Sequence, residues 1–222
     1  MARRRLLCVL HAVLLSAACG KAPQPRAEPA GPPISNTKGA VHMASTEEDI
    51  ALVQRTIAQE LKIEAADVKV RPVPVTVPGI TVFTASVHPA KAGRGVTRTG
   101  IVEGGAIYTE TEAMSRVARA WGYGAQRTVP AATVAQVFGA LHSATAESSA
   151  FIDEDTVDTY KRVSGPKRAA AVAMPKEATV DGNPAVVYCI TSSSRSIPFS
   201  VVTAIVKPDG KVELRAQPVL ED

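Results

Sequence analysis

Residues 199–217 read FSVVTAIVKPDGKVELRAQ, and this stretch sets the fold class. One apolar run, Phe199 to Val206, meets a second, Lys211 to Gln217, across Pro208-Asp209-Gly210. Proline presets φ in a turn, Asp bonds back to its own backbone, and glycine accepts positive φ. The stretch therefore reads as a β-hairpin. Just upstream, Asp181-Gly182 turns the chain into Ala185 to Thr191. That continuous apolar run has the pattern of a central strand buried on both faces. The chain thus ends in an antiparallel meander.

Working towards the N-terminus, Ala169 to Met174 is a further candidate strand. Residues 147–165 are polar and acidic and read as a solvated loop, with Phe151, Val157 and Tyr160 as anchors. Pro130 suits the first position of a helix whose apolar face is Val134, Val137, Phe138 and Leu141, weakened by Gly139. Thr109 and Glu112 have capping-box spacing ahead of Ala113, Val117, Ala118 and Trp121, and Gly122 and Gly124 stop that helix.

The earlier part repeats the order of helix then strands. Thr46 can cap a helix with Glu47, Glu48 and Asp49 in its first turn. Ile50, Val53, Ile57 and Leu61 share one face, and the helix ends near Lys62. Val68 to Arg71 alternates as a strand should. Val73 to Val77 is broken by Pro72, Pro74 and Pro78 into an edge or irregular segment. Ile80 to His88 is a stronger strand, and Lys91 to Gly95 is a turn. Thr97 to Val102 and Ala106 to Thr109 form a hairpin over Glu103-Gly104-Gly105. The expectation is an α+β fold of antiparallel sheets packed by about three helices. Residues 46–222 form the globular region, and a division into halves 46–124 and 125–222 is left open.

Composition agrees with a globular chain of 222 residues, 45% hydrophobic and 21% charged. Aromatics are only 4%, so the core must rest on Val, Ile, Leu and Ala. No apolar run reaches the ~20 residues of a membrane-spanning helix. These figures exclude a polytopic membrane protein, a disulfide-dense scaffold, a collagen and a wholly disordered chain.

Arg3, Arg4 and Arg5 precede an apolar stretch, Leu6 to Leu15, and the small residues Ser16-Ala17-Ala18. This is the layout of a secretory signal. The run Leu15-Ser16-Ala17-Ala18-Cys19-Gly20 resembles the lipobox of bacterial lipoproteins, with Ser16 where that family most often has Leu. The resemblance covers about 20 residues and none of the globular region. It implies cleavage before Cys19, a diacylglyceryl group on the Cys19 thiol and a further acyl chain such as palmitate on its amine. Gly20, where an inner-membrane lipoprotein of enteric bacteria usually has Asp, implies the outer membrane. The other reading is an ordinary signal cut after Ala18 and a secreted or periplasmic protein. Residues 19–45 carry Pro23, Pro25, Pro29, Pro32 and Pro33 without apolar periodicity and read as a disordered tether. Under the lipobox reading Cys8 leaves with the signal, Cys19 is lipidated and Cys189 stands alone, so the mature chain holds no internal disulfide.

The formal charge of +4 belongs to this address. Without residues 1–18 the chain has 22 bases against 21 acids, and residues 46–222 have 19 bases against 20 acids. Nothing in that balance points to nucleic acid.

The chemistry-bearing motifs are few. His42, His88 and His142 have no metal-ligand partner at the usual spacings, and no nucleophile elbow, P-loop or dinucleotide fingerprint is present, so no cofactor is expected. Cys189 lies inside an apolar strand and reads as core. Asp153, Glu154, Asp155 and Asp158 lack the glycine and terminal Glu of a calcium loop. His88, Lys91, Arg94 and Arg98 gather around one hairpin and could meet an anion, although a solvated turn that protects a sheet edge explains them as well. The leading expectation is an envelope lipoprotein held to membrane lipid through acylated Cys19. Its domain would work without catalysis, by binding another envelope protein or within an assembly. A small-ligand carrier with an apolar pocket is the alternative, and an enzyme of unrecognised type the second.

Overall fold

The computed structural model describes residues 38–93, 95–123, 129–192 and 198–221, with side chains from Thr46 onward. The signal, Cys19 and the proline-rich segment lie outside these residues, as do Arg94, Gly124 and residues 193–197.

The α+β expectation holds. Four strands, β1 (Val68–Pro72), β2 (Ile80–Val87), β3 (Val96–Glu103) and β4 (Ala106–Tyr108), form one antiparallel sheet in chain order. The second sheet holds β5 (Ser148–Ala150), β6 (Lys176–Val180), β7 (Asn183–Ser192), β8 (Ser200–Val206) and β9 (Val212–Pro218). Its order is β5-β7-β8-β9, all antiparallel, with β6 also on β7. β5 pairs with 190–192 and β6 with 183–187, so the two lie end to end along one edge of β7. As the apolar run suggested, β7 is central, and the Pro208-Asp209-Gly210 hairpin joins β8 to β9. The Gly104-Gly105 turn, with φ of 57° and 76°, closes the β3–β4 hairpin, a conformation glycine adopts without penalty.

Helices are more numerous than the expected three. Among the described residues there are six: α1 (Lys38–Leu61), α2 (Pro89–Ala92), α3 (Glu110–Trp121), α4 (Ala131–Ala140), α5 (Glu154–Val163) and α6 (Pro166–Ala171). α1 starts eight residues before Thr46, so Thr46 is not its cap and the last part of the expected tether is helical. The prolines stop at Pro33, and Ala, Val and Met follow, which a helix accepts. α2 replaces a turn: Pro89 fixes φ at its first position, His88 Nδ1 accepts from Ala90 N at 3.2 Å, and Gly93 ends it in the left-handed region. α5 replaces the acidic loop. Asp153 caps it, accepting from Thr156 N at 2.7 Å and Thr156 Oγ1 at 2.8 Å, and Glu154 and Asp155 sit at the positive end of the dipole. α6 takes the first half of the expected 169–174 strand, and 172–174 belong to no strand. The Glu221 carboxylate accepts from Lys167 N at 3.4 Å and Arg168 N at 2.9 Å, a cap from 53 residues away.

The Thr109/Glu112 capping box does not form. Thr109 makes no side-chain cap, and Glu110 enters α3 at φ 52°. Glu112 instead pairs with Arg116 at 3.2 Å, and Arg116 also reaches Glu103 at 2.6 Å while its guanidinium covers the Tyr108 ring. Gly139 does not merely weaken α4: a Cβ there would come within 2.9 Å of Ala150 Cβ and N. Glycine lets β5 close against the helix, and Ser148 Oγ donates to its carbonyl at 2.6 Å.

The main core lies between the sheets. Ile80, Val82 and Ile101 of the first sheet, Val186, Tyr188, Ile190, Val202 and Ala204 of the second, and the stripes of α3 and α4 pack into one cluster. Trp121 belongs to it, as the helical spacing predicts, and its Nε1 donates to Thr76 O at 3.2 Å. Each sheet has a second covered face. α1 lays Val53, Ile57 and Ala58 over Phe83, Ala85, Val87 and Val102. Val157 of α5 and Val172, just after α6, cover Cys189 and Phe199.

Candidate binding groove

The outward face of the second sheet carries a shallow groove. Asp153 starts α5, and the helix spacing then turns Val157 inward and Tyr160 onto its flank. Tyr160 stacks on Phe199 with centroids 5.2 Å apart and meets Phe151 edge-on at 4.8 Å. Phe151 also meets Phe199 edge-on at 5.9 Å. These are the favoured geometries of aromatic pairs, so the rings hold one another in place. Between α5 and β7 they leave a groove of about 410 Å³, lined by Phe151, Asp155, Thr156, Thr159, Tyr160, Val163 and Thr191. Val163 at its rim is 76% exposed. The lining is mostly apolar, with four hydroxyls and one carboxylate.

A larger cleft of about 610 Å³ lies between the end of α3 and the turns at 182–184 and 206–210. Its charged groups are mostly engaged in structure. Lys207 pairs with Glu213 at 2.9 Å, Asp209 with Lys211 at 3.0 Å, and the stem of Arg119 lies against Gly210. Tyr123 on its wall is pushed above its ordinary value by burial, and the charge of Glu177 adds to the shift.

The residues singled out from sequence fall in separate places. Cys19 and Arg94 lie outside the described residues. His88 caps α2, Lys91 pairs with Asp67 at 3.1 Å, and Arg98 pairs with Glu60 and donates to its neighbour's carbonyl. Both of these cations thus already face a carboxylate. Cys189 is buried, its thiol 3.4 Å from Ala171 O. Burial pushes that thiol up, against the opposing pull of the Ala173 backbone N–H. His142 follows α4, with its Nδ1 buried and unpaired. Burial holds its imidazole below the ordinary value, while the charge of Glu110 pulls the other way. Among the described residues, no three His, Cys, Asp or Glu side chains converge as metal ligands. No helix among them is long and apolar enough to cross a membrane.

Sequence reading found Phe151 and Tyr160 as anchors but not the groove they line. The signal that could have found it is Asp153 followed by two acids, which marks a helix start rather than a loop. No family model, curated protein or solved structure matches this chain.

Proposed function

We propose that this chain is a bacterial envelope lipoprotein, held to the membrane through acyl chains on Cys19, whose folded domain binds rather than catalyses. The anchoring rests on the resemblance of residues 15–20 to a lipobox. A single acyl chain holds a protein only marginally, at about 0.8 kcal/mol per buried methylene, and additional chains make the attachment lasting. The binding role rests on one observation. Among the described side chains, Cys189, His88 and His142 are committed to the fold, while the groove beside α5 is open. Cys189 is buried against a carbonyl, and a thiol with a raised pKa is a poor nucleophile at neutral pH. His88 caps a helix, and His142 is half-buried with no hydrogen-bonded acid.

Labelled palmitate tests the anchor. The parent chain should take up label and sediment with membranes, and Cys19→Ala should lose both. Retention of the Cys19→Ala chain in membranes, with neither form labelled, would overturn it. Recovery of a specific envelope partner by cross-linking the tethered protein in its own envelope tests the binding role. A small-ligand carrier is the second reading, favoured by the aromatic walls of the groove.

A further inference from the structure

We propose that the corner formed by α5 and α6 is a docking surface that lays the domain against an anionic phospholipid bilayer. The choice of occupant rests on the lipid-anchor reading, while the surface rests on charge and exposure. Residues 161–176, from the last turn of α5 to the start of β6, carry Lys161, Arg162, Lys167, Arg168 and Lys176 and no acid. The rest of 46–222 holds 14 bases against 20 acids, so a region that is near neutral as a whole is sharply divided. Four of the five cations are exposed and Arg168 is half-buried. Acids border the stretch without cancelling it. Asp158 faces Lys161 at 3.8 Å, the Glu221 carboxylate accepts from two backbone N–H groups of α6, and Glu177 follows Lys176 in β6.

The apolar side chains fall in the same place. Among the described residues the exposed large hydrophobics are Val163 at 76%, Leu220 at 63% and Met174 at 36%. All three flank α6, a helix about 9 Å long. Val163 ends α5 two residues before Gly165, Met174 comes three residues after Ala171, and Leu220 precedes the Glu221 that caps α6. Arg168 Nε donates to Val219 O at 3.2 Å, which holds this C-terminal segment against the helix. Single exposed apolar residues are ordinary, but their concentration at one corner inside a basic rim marks a contact surface. At a bilayer, Val163 and Leu220 would enter the headgroup boundary while lysine and arginine stems lie along it with their heads on the phosphates. Nucleic acid would use the cations and leave the apolar side chains in water. The anchor supplies proximity. The 18 residues between Cys19 and Lys38 reach about 60 Å when fully extended, against a radius of gyration of about 16 Å for a domain of this size. The corner can therefore meet the bilayer that holds the acyl chains.

Both readings of the N-terminus cut before Cys19, so the test uses residues 19–222 carrying Cys19→Ala, which have neither signal nor acyl chain. Cosedimentation measures partitioning onto vesicles of phosphatidylcholine alone and of phosphatidylcholine with about one third phosphatidylglycerol. Binding is expected to the anionic vesicles and to weaken as salt is added. Each cation near such a surface is worth about a fivefold gain, so Lys161→Gln with Arg162→Gln should weaken binding about thirtyfold. Val163→Ser with Leu220→Ser should weaken it about tenfold. Lys69→Gln with Arg71→Gln removes two exposed cations from β1 instead and should leave binding unchanged. Melting midpoints check that each variant is folded, and either corner pair decides alone if the other is not. Absence of binding to the anionic vesicles, equal binding to both vesicle types, corner pairs that bind as the parent does, or an equal loss from the β1 pair would overturn the proposal. Binding to poly-glutamate or duplex DNA without binding to vesicles would also overturn it, in favour of an acidic protein or a nucleic acid. The chain tested carries no lipid, so the docking surface and the labelling of Cys19 fail separately.

Discussion

The two sheets cover their outward faces in different ways. The first uses one helix of 24 residues, whose stripe of Val53, Ile57 and Ala58 seals against Phe83, Ala85 and Val87. The second uses two short helices, of 10 and 6 residues, packed through Phe151, Tyr160 and Phe199. A long amphipathic helix presents a continuous row that follows the strands. Two short helices meeting at Ser164-Gly165 cannot, and large rings fill only part of the space. The remainder is the groove. Concavity here comes from incomplete coverage of a sheet rather than from a cavity in the main core.

Matched truncations should expose that difference most strongly. Phe83→Ala, on the sealed face, should destabilise the whole domain by about 3–5 kcal/mol, measured by denaturant unfolding. Phe199→Ala should fall at the lower end of that ~3–5 kcal/mol range, because α5 and α6 can shift into the space. It should also speed amide exchange across 154–171 while β2 and β3 stay protected. Equal destabilisation by the two truncations, or equal loss of protection in both regions, would break the comparison.

Tyr188 tests the core that both sheets share. Its hydroxyl is buried without a partner among the described residues, and burial alone pushes its pKa far up. Removing an unsatisfied buried hydroxyl should stabilise, so Tyr188→Phe should gain about 1 kcal/mol in denaturant unfolding. A loss of stability would mean that the hydroxyl has a partner.

The smallest expected effect is a pH dependence at His142. Its folded imidazole is held below the ordinary value by burial, so the unfolded chain takes up a proton first as pH falls. The contribution to stability is complete above the unfolded pKa of about 6.5 and declines as pH falls from there towards the folded value. Asp153, Asp209 and Glu213 are all held below the usual carboxylate range, so their contributions are lost only at lower pH. His142→Gln should flatten the melting curve between pH 7 and 5 and leave the acid limb in place. An unchanged slope in that interval would assign it to another group.

The strands were largely legible because their signals are local. Alternation in Val68 to Arg71, the glycine pair at 104–105 and the Pro-Asp-Gly turn each act over a few residues, and all appear where they were read. The apolar stripes of α3 and α4 were legible for the same reason. The misread segments depend on partners far along the chain. Ala169 to Met174 reads as apolar enough for a strand, yet α6 forms with Glu221 capping its first turn. Gly139 reads as a weak point until Ala150 is seen against it. Lys91 and Arg98 read as free cations, while their carboxylates come from Asp67 and Glu60, 24 and 38 residues away.

By itself, the sequence determined the α+β class, the central place of β7, the core role of Trp121 and Cys189, and an N-terminal pattern shaped like a lipobox. All of these follow from side-chain periodicity and local backbone preference, which act within about one turn or one hairpin. Tertiary structure alone decided that both sheets share one core and that α5 and α6 leave a groove on the second sheet. Those outcomes depend on which surfaces meet, and a groove is a relation between elements that no single segment encodes.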